Sequence, residues 1–73
     1  MISITGTITE LNPEMHVTTY YSRHAVTYKV AIDEHLAEYY KLHEEVTVTG
    51  FLRDGWIVQP EIKRQDFATL MGI

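Results

Sequence analysis

The feature that most constrains this chain is a β-hairpin pattern between residues 44 and 62, where the sequence reads EEVTVTGFLRDGWIVQPEI. Apolar and polar residues alternate along its first half, so Val46, Val48 and Leu52 are expected on one buried face. The pair Asp54-Gly55 then predicts a two-residue turn, because both residues tolerate positive φ. The stretch therefore predicts two antiparallel strands that turn one face toward a core.

Three further residues of this stretch bear on the shape of the strands. Gly50 interrupts the buried row, where a missing side chain permits a bulge or a sharp bend. Pro60 has no amide donor and is expected at a strand end or a sheet edge. Trp56 follows the turn and is expected to be at least half buried against one end of the fold. A long strand that bends at a glycine is what a small closed barrel needs at its corners.

The first residues of the chain alternate in the same way. Ile2, Ile4 and Ile8 share a face, and Gly6 takes the remaining position on it. This pattern predicts a first strand with a bend at the glycine. A turn follows at residues 12–14, where asparagine precedes proline.

Residues 15–21 and 26–33 are predicted to form the second and third strands. A loop of either two or four residues between them keeps Val17 and Tyr28 on the buried face, because an even slip in register preserves the face. The opposite, outward face then carries His16, Thr18, Tyr20, Thr27 and Lys29.

A helix is predicted between the third strand and the hairpin. Asp33 is expected to cap it, and Leu36, Tyr39, Tyr40 and His43 follow helical spacing. A helix of roughly ten residues is marginal by itself, so packing must hold it.

Composition narrows the remaining possibilities. The 73 residues make one domain, with residues 1–64 as the sheet and residues 65–73 as a tail or short amphipathic turn. The chain has no cysteine, which excludes disulfides and thiolate metal sites. It has no apolar run of about 18 residues and no signal-peptide pattern, so a soluble cytoplasmic protein without membrane contact is expected.

The order of three strands, a helix and two strands resembles an OB-fold, which is a five-stranded Greek-key barrel with one short helix between strands 3 and 4. The likeness covers roughly residues 2–64, and its most characteristic part is the helix that leads into VTVTGFL. The pattern is similar to anticodon-binding-like and single-strand-binding OB modules. Proteins of this kind bind single-stranded nucleic acid, oligosaccharides or other proteins, so the fold alone does not choose among them.

The resemblance implies a ligand site on the outward face of strands 2 and 3 and in the flanking loops. An exposed aromatic side chain near bases suits stacking of a nucleobase together with contacts to phosphate. The competing interpretation is an ordinary solvated sheet face, on which threonines dominate. The candidate nucleic-acid-binding residues are His16, Thr18, Tyr20, Arg23, Thr27, Lys29, Phe51 and Arg53.

Metal binding and catalysis receive little support from the sequence. The four histidines form no His-x-x-x-His motif, and no cysteine accompanies them. Ser22 lies close to His24, but no acid is placed by the sequence to orient that histidine. No catalytic residue, metal ligand or cofactor is therefore expected.

Two functions remain open on the sequence alone. The first is binding of single-stranded nucleic acid, which requires a positive outward face on strands 2 and 3. The second is an acidic module for protein–protein interaction or a subunit of a larger complex. The net charge of −4, the five acids between residues 33 and 45 and the apolar residues of the tail favour the second.

Overall fold

The computed structural model of the chain describes residues 1–64, and the predicted amphipathic turn within residues 65–73 lies outside them. The fold is mainly β, with five strands and one short helix in the predicted order. The elements are β1 (Ile2–Glu10), β2 (Met15–Tyr20), β3 (Ala25–Val30), α1 (Glu34–Ala37), β4 (Glu45–Arg53) and β5 (Trp56–Arg64).

The strands form a mixed sheet that closes into a ring in the order β1-β2-β3-β5-β4, since β4 pairs again with β1. All neighbours are antiparallel except β3 and β5, which run parallel. That parallel contact is short: Lys29 pairs with Trp56 and Val30 with Ile57, and the Ala31 amide donates to the Ile57 carbonyl at 2.9 Å. The start of β5 is therefore placed directly beside the end of β3.

The core confirms most of the predicted alternation. Val46 and Val48 are completely buried, whereas Leu52, which was expected beside them, is 56% exposed. The reason is that β1 pairs with β4 only as far as Gly50, so the end of the β4–β5 hairpin projects beyond β1. The fully buried side chains are Ile8, Met15, Val17, Val30, Val46, Val48 and Ile57.

The predicted irregularity at Gly50 is confirmed, although its extra residue lies on the partner strand. The register shifts between Thr49 and Phe51, where Gln59 and Pro60 of β5 lie opposite Gly50. Gln59 adopts a positive φ of 50° there. Pro60 thus sits at a bulge inside β5 and not at the predicted strand end or sheet edge, because a bulge also tolerates a missing amide donor.

The helix is much shorter than predicted. It spans Glu34–Ala37, and the N-cap residue Asp33 makes no side-chain hydrogen bond to it. The chain leaves the helix because His43 and Glu44 pair their backbones with Ile8 of β1. Tyr39, expected to pack, is 67% exposed. Within residues 1–64, no helix has the length and apolar character needed to cross a membrane.

The turn between β4 and β5 gives a stability prediction. Asp54 and Gly55 have φ values of 52° and 83°, as the turn chemistry requires, and a Cβ on Gly55 would meet nothing within 4 Å. We expect Gly55→Val to lower the free energy of unfolding by more than about 1 kcal/mol, because a β-branched residue resists positive φ. Gly55→Asn is the matched control, since asparagine tolerates this conformation. An equal loss in both variants, measured by urea denaturation, would contradict the turn assignment.

Candidate nucleic-acid interface

The β2–β3 hairpin presents the predicted outward face. His16 pairs with Lys29 and Thr18 with Thr27, which is the register of a two-residue turn at Ser22 and Arg23. The Tyr21 amide donates to the His24 carbonyl at 2.7 Å and closes that turn. The faces assigned from the sequence are therefore confirmed, and the choice between two turn lengths is resolved.

A row of polar and aromatic side chains runs across the sheet at one level. Glu10 of β1 pairs with His16 of β2, and His16 pairs with Lys29 of β3. Lys29 in turn pairs with Trp56 of β5, which pairs with Arg53 of β4. Paired residues of neighbouring strands point to the same side of a sheet. Two of the predicted bases therefore meet on one surface around a tryptophan.

The centre of this row is the contact between Lys29 and Trp56. The Lys29 Nζ lies 4.9 Å from the centroid of the Trp56 ring, a cation–π arrangement. Phe51 lies two residues before Arg53 on β4, shares its outward direction and is 44% exposed. Arg53 is exposed and forms no ion pair with any residue between 1 and 64. We call Lys29, Phe51, Arg53 and Trp56 the aromatic–basic surface.

A row of three threonines, Thr9, Thr18 and Thr27, lies beside this surface, and Thr27 is two residues before Lys29 on β3. The Thr18 hydroxyl is 2.9 Å from the hydroxyls of both Thr9 and Thr27. Thr18 is only 6% exposed although it faces outward, because its neighbours on β1 and β3 cover it. The Thr18 hydroxyl is therefore engaged in hydrogen bonds with Thr9 and Thr27, and Thr18 has little exposed surface with which to contact a ligand.

His16 is less available than the sequence suggested. Its Nδ1 lies 2.9 Å from Glu10 Oε2, and its Nε2 lies 3.2 Å from Glu14 Oε1. The ring is held between two carboxylates, whose negative charge would repel phosphate. This end of the face is acidic, and the positive charge lies toward β5 and β4. Within residues 1–64, no three acidic or histidine side chains gather where they could share a metal ion.

Tyr20 and Arg23 stand apart from the aromatic–basic surface, at the tip of the β2–β3 hairpin. Tyr20 is four positions along β2 from His16, which corresponds to roughly 13 Å. Tyr20 is 67% exposed and Tyr21 is 52% exposed, and the Tyr21 ring lies 5.1 Å from the ring of His24. The tip thus forms a second exposed aromatic patch next to a base.

Trp56 is the site residue that the sequence reasoning did not assign to the interface. It is half-buried, as predicted, but it also lies under Lys29. A signal was present: a two-residue turn pairs the residues on either side of it, so an outward Arg53 implies an outward Trp56. The contact with Lys29 could not be foreseen in this way, because it depends on the pairing of β3 with β5.

The outward-facing arrangement of aromatic and basic side chains can stack a flat ring and neutralise an anion, whereas the threonine row only links strands. The chain matches no protein-family model, no curated protein and no solved structure at significant similarity.

Proposed function

We propose that this protein is a small OB-type module that binds single-stranded nucleic acid across the aromatic–basic surface. The observation that carries the proposal is the row Lys29–Trp56–Arg53 with Phe51 exposed beside it. Bases of any sequence can stack on an aromatic face, and cations alongside can contact the backbone phosphates.

Each residue of the surface has a distinct part in this proposal. Phe51 is the exposed ring on which a base stacks. Trp56 holds the Lys29 ammonium at the surface by the cation–π contact, where it can meet a phosphate. Arg53, which has no carboxylate partner in the described part of the chain, supplies a second phosphate contact. A longer single-stranded nucleic acid would continue over Thr27 to the ring of Tyr20.

The OB-fold assignment is part of the same proposal. Five strands in the ring order β1-β2-β3-β5-β4, with a helix between β3 and β4, support it. In that fold the face of strands 2 and 3 and the loop between strands 4 and 5 bind oligonucleotides. The projecting β4–β5 hairpin corresponds to that loop, and Lys29 is the residue of the aromatic–basic surface that lies on strand 3.

Binding should depend on the aromatic ring and on both bases. We expect a fluorescein-labelled single strand of about 15 nucleotides to bind with an affinity that falls between about 50 and 200 mM salt. Phe51→Ala should weaken binding by roughly 1–3 kcal/mol, the range found for stacked bases. Lys29→Gln and Arg53→Gln should each weaken it and reduce the salt slope by about 0.7. Fluorescence anisotropy at the two salt concentrations measures all three effects.

Lys63→Gln is the matched control, because Lys63 is an exposed base on β5 that pairs with Thr47, six residues along β4 from Arg53 and roughly 20 Å away. It removes the same charge and should leave affinity and salt slope nearly unchanged. If Lys63→Gln weakens binding as much as Lys29→Gln, the attraction is diffuse and the site is wrong. Absence of binding by the unmodified protein at low salt refutes the proposed function.

A further inference from the structure

A groove of about 630 Å³ lies between the β1–β2 loop and helix α1, next to the aromatic–basic surface. Its floor includes Met15 and Val30, which are each 1% exposed. Leu11, Ile32 and Trp56 are the other large apolar residues of its lining. The volume falls within the range of sites that enclose a ligand or a few side chains of a partner.

Both walls of the groove carry carboxylates. Glu14 lies on the β1–β2 loop, while Glu34 and Glu38 lie on α1 and directly after it. Among residues 1–64, no lysine, arginine or histidine lines the groove. Glu14 also contacts His16, whereas Glu34 and Glu38 form no ion pair with any described residue. The groove therefore combines an apolar floor with a negative rim on two sides.

We propose that this groove binds a segment of a partner protein in which a large apolar side chain is flanked by lysine or arginine. The apolar side chain would pack on the floor of the groove between Met15 and Trp56, and water would be released from the apolar surfaces of the groove and of the side chain. The flanking bases would meet Glu34 and Glu38 on one wall and Glu14 on the other. Complementary charge of this kind selects the partner and its orientation more than it adds affinity.

Two other occupants fit this groove poorly. Nucleic acid is disfavoured, because the rim would repel its phosphates. The chain's own residues 65–73 carry one acid and no base, so they offer no complement to the rim. The charge of the groove therefore points to a separate, basic protein segment.

The test uses three short synthetic peptides that differ only in the proposed features. The first has a leucine flanked by lysines, the second the same leucine flanked by glutamates, and the third the lysines with serine in place of leucine. We expect only the first to shift the backbone amide NMR signals of Glu14, Ile32 and Glu34 in a saturable way. Equal shifts with all three peptides, or shifts confined to the β4–β5 hairpin, would overturn the proposal.

Charge reversal then separates the groove from general attraction. Glu34→Lys combined with Glu38→Lys should lower the affinity for the lysine peptide about tenfold and raise that for the glutamate peptide. Glu45→Lys combined with Glu61→Lys changes the net charge equally on exposed positions of β4 and β5 and should leave both affinities unchanged. If this control weakens the lysine peptide as strongly, the groove is not the site. Trp56 belongs to both sites, but Glu34, Glu38, Glu45 and Glu61 are not part of the aromatic–basic surface, so the loss of peptide binding in the first variant is measured separately from the binding of nucleic acid.

Discussion

Val48→Asp should leave the chain unfolded in water at 25 °C. Val48 is completely buried and pairs with Ile4 of β1 on one side and Ile62 of β5 on the other. An aspartate there would place a carboxylate without a partner among apolar side chains, which costs several kcal/mol even if it takes up a proton. A domain of this size has a total stability of about 4–11 kcal/mol. Far-UV circular dichroism and the spread of amide NMR signals would both report the loss.

The neighbouring residue supplies the control for this prediction. Thr47 lies on the opposite face of β4, where it pairs with Lys63 of β5 and its hydroxyl is 2.9 Å from that of Thr5. Thr47→Asp loses an exposed hydrogen bond but gains an opposite charge across the strands, so the change should stay within about 1 kcal/mol. If both variants unfolded, or both stayed folded, the assignment of the two faces of β4 would be refuted.

The local pattern of the sequence was sufficient for the turn and the buried first half of the β4–β5 hairpin. Alternation identified Val46 and Val48 as core, and the turn chemistry of Asp54 and Gly55 set the register of β4 against β5 as far as the bulge opposite Gly50. Both kinds of signal act over a few neighbouring residues, so they can be read before the rest of the fold is known. They placed Lys29 and Arg53 on outward faces for the same reason.

The features that were predicted wrongly or missed depend on pairing between segments that are distant in the chain. Leu52 is exposed because β1 ends its pairing with β4 at Gly50, which alternation along β4 alone cannot reveal. The predicted helix ends early because Ile8 pairs with the backbone before β4. Likewise, Lys29 reaches Trp56 only through the short parallel contact of β3 with β5. Tertiary pairing overrides local propensity at each of these points.

Gly6 lies next to the point on β1 where pairing with β4 ends and pairing with β2 begins. Residues up to Thr7 pair with β4, and from Thr7 onward β1 also pairs with β2. A Cβ built on Gly6 would lie 2.5 Å from the carbonyl oxygen and 2.9 Å from the carbonyl carbon of Thr18. Because these are backbone atoms within a paired strand, no side-chain rotation can relieve the contact. Any larger residue must separate β1 from β2 and open the ring.

Gly6→Ala should therefore lower the free energy of unfolding by about 3 kcal/mol or more, at the upper end of the range for overpacking. Gly55→Ala makes the same chemical change where φ is 83° and a Cβ meets nothing within 4 Å. It incurs only the cost of the left-handed conformation, about 1–2 kcal/mol. The free energies of unfolding of the two variants, measured by urea denaturation, therefore compare the cost of steric overlap at Gly6 with the cost of backbone strain at Gly55. A loss at Gly6 no greater than that at Gly55 would mean that β1 and β2 can separate here at little cost, and would contradict the lack of space at Gly6.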